Sequence, residues 1–202
     1  MTPTPQQSSQ HSIQHSIATD DTHGPSLLPL PSRVVALLEA VDAPPRLVAH
    51  LRAVHDVAHQ LVAWIERHRP ALVLDREAVL FGAATHDIGK AEHPAELSGP
   101  GSAHEEAGRE LLLALGVSAE SARFAAGHAS WEEGRGIEDL LVTLADKVWK
   151  NKRVPELEDL VVAELVRVGG RARWEEFLEL DELLTRIGEG ADARLAYQQS
   201  HA

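Results

Sequence analysis

Leu47-Val48-Ala49-His50-Leu51-Arg52-Ala53-Val54-His55-Asp56-Val57-Ala58-His59-Gln60-Leu61-Val62-Ala63-Trp64-Ile65 is the stretch that decides the fold. Leu47, His50, Leu51, Val54, Val57, Ala58, Leu61 and Ile65 recur at spacings of three and four. On a helix of about 3.6 residues per turn they make one apolar stripe. Ala43-Pro44-Pro45 breaks the chain before it and Pro70 ends it. One member of the stripe is an imidazole, His50, whereas His55 and His59 lie about 100° around the helix from Val54 and Ala58.

Outward from this helix the pattern stays helical. Ser32 caps a short helix through Val41, and Asp75 caps one that carries Val79, Leu80, Ala83 and Ala84 to His86-Asp87-Ile88-Gly89-Lys90, where Gly89 reads as a C-terminal breaker. Ser102-Ala103-His104-Glu105 has the spacing of a capping box, so a helix begins there and ends at Gly116. Ser118 caps another that runs to about His128. Further helices are expected over 137–152, 156–168 and 173–187, and no stretch has the period of a strand. The expected fold is a compact all-α bundle spanning residues 31–190 as a single domain. A disordered N-terminal tail over 1–30, rich in Thr, Pro, Gln, Ser and His, and a flexible tail over 191–202 flank it.

Composition narrows the function. The 202 residues hold 19 Lys plus Arg against 31 Asp plus Glu, a net charge of −12, so the surface repels nucleic acid polymers and anionic lipid. No apolar run approaches the length of a membrane span and the N-terminus has no signal-peptide order, which reads as cytoplasmic. With no cysteine, thiolate metal sites and thiol nucleophiles are excluded, and any metal must rest on His, Asp or Glu. Histidine, by contrast, is abundant, with 12 copies against one Tyr and three Phe.

Few of these groups stand where a helical core would enclose them. His50 is on the apolar stripe, His86 and Asp87 close an apolar helix, and Asp146 interrupts Leu144-Ala145-Asp146-Lys147-Val148. A polar group buried there costs free energy unless it is paired or binds a cation. Taken in order, these residues resemble the HD superfamily of metal-dependent phosphohydrolases, in which a His, a His-Asp pair and a distant Asp ligate metal. The likeness rests on His50-Leu-Arg-Ala-Val54, on Ala83-Ala84-Thr85-His86-Asp87-Ile88-Gly89-Lys90 and on Ala145-Asp146-Lys147, and covers about 46–153. His55 competes with His50, but only His50 has Val at plus four and Ala at plus eight in the family manner.

The resemblance implies more. His104 and His128 stand where two-metal members place extra ligands, a layout similar to the subgroup that hydrolyses diadenosine tetraphosphate. Ser130-Trp131 departs from members with a second adjacent His after His128, among them cyclic-dinucleotide phosphodiesterases. The implied cofactor is one or two divalent transition ions, Fe, Mn, Co, Ni or Zn, with Asp87 as the bridging catalytic ligand. Cations are needed against the phosphate charge: Lys90 as a catalytic group, and Lys147, Lys150 and Arg153 for substrate, the latter two placed on the face of Asp146 by helix spacing. The substrate expected is a small phosphorylated molecule, a nucleotide first. The same ligands also serve di-iron oxygenases of the superfamily, and a non-catalytic nucleotide-binding module is the third reading.

Overall fold

The computed structural model describes residues 25–201. A short helix, α1 (Ser32–Ala40), leads into the long α2 (Pro45–His68), with Pro45 in the first turn where its missing N–H costs nothing. Then come α3 (Arg76–Thr85), α4 (Ala103–Ala114), α5 (Ala119–Gly127) and α6 (Ile137–Val148), with two short 3-10 turns, Ile88–Ala91 and Pro94–Leu97, between α3 and α4. Three more helices, α7 (Pro155–Gly169), α8 (Arg173–Glu189) and α9 (Ala191–Gln199), complete the chain. Among the described residues there is no strand, and the protein is an all-α bundle. No helix among them is long and apolar enough to cross a membrane.

Two apolar clusters divide the interior. Val34, Leu38, Leu47, Leu51, Ala84, Ile88 and Leu112 form one, and Val54, Leu61, Val79, Phe124, Leu144, Val161 and Leu184 belong to the other. α2, α3 and α5 contribute to both, so the seam between the clusters runs along these three helices. α2 is consequently enclosed on more than its predicted stripe, and His55 and Asp56 are buried as well.

Three boundaries depart from expectation. Residues 25–30 pack rather than trail: Leu27 is buried, Leu28 N–H donates to Asp56 Oδ1 at 3.1 Å, and Arg52 donates to the carbonyls of Leu27 and Leu28. Hydrogen bonds from α2 hold this segment, and they leave no periodic signal in it. Residues 1–24, the rest of the expected tail, lie outside the described residues. The tail expected over 191–202 is instead mostly α9, pinned by buried Arg194 and by Tyr197, whose hydroxyl accepts from Arg52 at 3.1 Å. Finally, α6 stops at Val148 rather than 152, and Asn151, at φ 57°, turns the chain away.

Candidate metal centre

Each candidate ligand sits in a helix or just beyond the end of one. His50 projects from α2. The Asp75 carboxylate caps α3 by accepting Ala78 N–H at 2.9 Å, and the helix delivers His86 at its C-cap and Asp87 just beyond. Gly89 is no helix breaker: it lies within the 3-10 turn without a positive φ. Its role is close approach, because a Cβ there would overlap the His104 carbonyl and stand 2.5 Å from Gly108 N. That contact lets the start of α4 reach Asp87. His104 lies in the first turn of α4, His128 at the C-cap of α5 and Asp146 near the end of α6.

The six side chains converge. Asp87 Oδ2 lies 3.1 Å from His50 Nε2 and 3.6 Å from His86 Nε2, while Asp146 Oδ1 lies 3.4 Å from His86 Nε2 and 3.8 Å from His50 Nε2. The other oxygen, Asp87 Oδ1, is 3.1 Å from His104 Nε2 and 3.3 Å from His128 Nε2. Two ligand groups result, His50-His86-Asp87-Asp146 and Asp87-His104-His128, sharing one carboxylate. His86 Nδ1 and His128 Nδ1 donate to the carbonyls of Ala83 and Ala125, each at 2.9 Å. A carbonyl only accepts, so both rings carry their proton on Nδ1 and turn an Nε2 lone pair inward.

These residues fit a divalent ion. His50 Nε2, His86 Nε2, His104 Nε2 and Asp87 Oδ1 are buried with no hydrogen-bond partner among the described residues. Orphaned acceptors of that kind are costly unless a cation takes their lone pairs. Electrostatics agrees: burial opposes ionisation of Asp87, but His86, His104, His128 and His50 outweigh it and hold the carboxyl well below its ordinary range. Asp146 behaves alike, with burial overcome by His86 and Lys147. Burial likewise resists protonation of His104, yet Asp87 and Glu96 raise its pKa.

A cavity of about 340 Å³ opens on this centre. Lys90, Lys147 and Lys150 line it with Leu97, Leu195 and Gln198. Lys90 Nζ is 2.6 Å from Asp87 Oδ2 and Lys147 Nζ is 2.7 Å from Asp146 Oδ2. Arg153, expected to bind substrate, is not in the wall. It donates to both oxygens of Glu158, at 2.9 and 2.7 Å, and to Asp181 at 2.7 Å. The helix spacing that put it on the face of Asp146 fails because α6 has already ended. Trp149, also in the wall, is 3% exposed and meets His50 edge-on with ring centroids 4.8 Å apart. His55 lines a separate cavity beside His59, Arg76 and Phe81.

Sequence reasoning missed Glu96. Its Oε2 accepts from His104 Nδ1, and its two oxygens accept the N–H groups of Ala103 and His104, each at 3.2 Å. Glu96, not Ser102, therefore caps α4, and Ser102 makes no side-chain cap bond. A carboxylate in the preceding loop, six residues before Ser102, has no fixed spacing that would reveal it.

A family model described as HD domain matches residues 47–150, more than half of the chain, and takes in all six candidate ligands. No match was found among curated proteins or among solved structures.

Proposed function

The chain belongs to the HD-domain family, in a superfamily of metal-dependent hydrolases, and on that premise we propose that it hydrolyses a small phosphate ester or anhydride, nucleotides first, at a two-ion centre. The observation that carries this reading is the division of Asp87, with Oδ2 toward His50 and His86 and Oδ1 toward His104 and His128. His50, His86, Asp146 and Asp87 would hold one ion, and His104, His128 and Asp87 the other. A divalent transition ion bound there supplies Lewis acidity toward a phosphoryl oxygen and toward an attacking water. The protein's own groups do the rest. Lys90 and Lys147, each against a ligating carboxylate, and Lys150, free of any ion pair among the described residues, present three ammonium groups to the cavity. In a chain of net charge −12 they gather cations where a phosphate's charge must be held. Leu97, Trp149 and Leu195 give the wall an apolar part, which would limit water around a bound phosphate.

The test begins with metal analysis of the purified protein, followed by an anaerobic screen of nucleotides for phosphate release with manganese or ferrous iron. About two ions per chain and oxygen-independent phosphate release are expected. Asp87→Ala should lower turnover more than about 100-fold while leaving the helical circular dichroism intact, because it removes a ligand from both ions. Oxygen uptake in place of phosphate release would make the protein an HD-type oxygenase, and near-parental activity of Asp87→Ala would refute the site.

A further inference from the structure

The three hydrogen bonds of Glu96 join two things the fold otherwise keeps apart. One is the imidazole of His104. The other is the loop before α4, whose Leu97 and Gly101 form part of the cavity wall. The fit is close, since any side chain at Gly101 would overlap the Glu96 carboxylate. Resting on the two-ion reading, we propose that Glu96 is the positioning residue of the second half-site: it couples occupancy of His104 and His128 by metal to docking of the loop that walls the substrate cavity.

The two nitrogens of the His104 ring have different partners. A carboxylate accepts at His104 Nδ1, so that nitrogen carries the proton and Nε2, 3.1 Å from Asp87 Oδ1, keeps its lone pair for metal. In the companion ligands His86 and His128 the same work is done by carbonyls of their own helices, Ala83 and Ala125. Those acceptors cannot leave while the helix stands. His104 begins its helix and has no preceding turn to supply a carbonyl, so the acceptor is borrowed from the Pro94–Leu97 turn, eight residues upstream. The consequence is mutual: a docked loop presents the Nε2 lone pair, and metal drawing on Nε2 polarises Nδ1–H and tightens its bond to Glu96. By linkage, whatever favours one favours the other to the same degree.

Glu96→Ala and Glu96→Gln separate positioning from simple capping. Gln has a single oxygen, which at the Oε2 position still accepts from His104 N–H and Nδ1–H and gives up Ala103 N–H, whereas Ala removes all three acceptors. Manganese titration of the full chain, read as ions bound per chain, is combined with hydrogen exchange of the amides over 96–104 with and without manganese. In the parent, two ions bind and manganese slows exchange over the segment. Glu96→Ala should bind the second ion about 10–100-fold more weakly, keep the first at parental affinity and lose the manganese-dependent protection, and Glu96→Gln, with an acceptor for Nδ1–H retained, should recover most of both. Parental affinity for both ions in Glu96→Ala, or a second ion as weak in Glu96→Gln as in Glu96→Ala, would overturn the proposal while leaving the two-ion reading intact. A single ion in the parent itself would overturn that reading, and the proposal with it.

Discussion

His50 and His55 lie on the same helix and are almost equally enclosed, 6% and 4% exposed, so burial does not tell ligand from bystander. Their neighbours do. His50 Nε2 faces Asp87 and Asp146, whereas burial, aided by the charge of His59, pulls the pKa of His55 down to about 4. His55 is thus a neutral ring, and its buried Nδ1 has no hydrogen-bond partner among the described residues. Replacing His50 by Ala should weaken the first ion by at least the roughly 10–100-fold typical of lost supporting partners. His55→Ala should leave the metal count unchanged and cost stability through the void it opens. Manganese titration beside thermal melting decides, and loss of metal from His55→Ala would sink the assignment. Helix phase puts the two rings on different faces, but it cannot foresee that the second face is also covered. Glu96 is illegible for a different reason, since loop geometry alone brings it to His104.

At the scale of elements, the His-Asp-Ile-Gly-Lys run works through its backbone as much as through its ligands. Gly89 lets the 3-10 turn lie against α4 at His104 and Gly108. Gly89→Ala should therefore destabilise the protein by roughly 1–3 kcal/mol or more and displace His104. Lower denaturation midpoints together with a weakened second ion are the expected readings, and a variant with parental values for both would refute the contact. The helix spans were largely legible, because α1 to α8 carry capping residues, prolines or long apolar periods. The close approach was not, because a glycine after a helix signals a turn just as well as a contact. A second joint ties α8 to the end of α2: Glu179 accepts from Arg171 and Arg69, which lower its carboxyl from 4.5 to about 2. A depressed carboxyl contributes stability above its unfolded value and loses it as pH falls through its folded one. The parent should thus exceed Glu179→Gln in stability above about pH 5, and the gap should close as pH drops from 4.5 toward 2. A gap independent of pH in acid unfolding would show that the ion pairs contribute nothing.

Across the whole molecule, the family match ends at residue 150, yet the chain beyond it is not an appendage. α9 lends Leu195 and Gln198 to the cavity, and its buried Arg194 donates to the Trp149 carbonyl at 2.7 Å and to the Ile187 carbonyl at 2.6 Å. Trp149 in turn meets His50 edge-on. A single side chain therefore connects α8, α9, the end of α6 and the candidate ligand His50. The sequence conceals this, because Arg194 in a polar, alanine-rich terminus reads as a solvated charge, and only the structure shows that it is 5% exposed. Arg194→Ala should leave the Trp149 carbonyl without its Arg194 donor, at a cost of about 1–3 kcal/mol where no water replaces it, and leave the Ile187 carbonyl with the 3.3 Å bond from Gly190 N–H. For a chain of this size each kcal/mol lowers the melting temperature by about 2–4 °C. If Trp149 holds His50 in place for metal, the stabilisation that manganese confers must shrink as well, since a ligand stabilises only in proportion to its affinity for the folded state. Melting of parent and variant over a manganese series separates the two effects. A lower melting temperature with an unchanged manganese increment would mean that α9 braces the bundle without touching the metal centre, whereas a diminished increment places the C-terminal helix among the elements that hold His50 to its task.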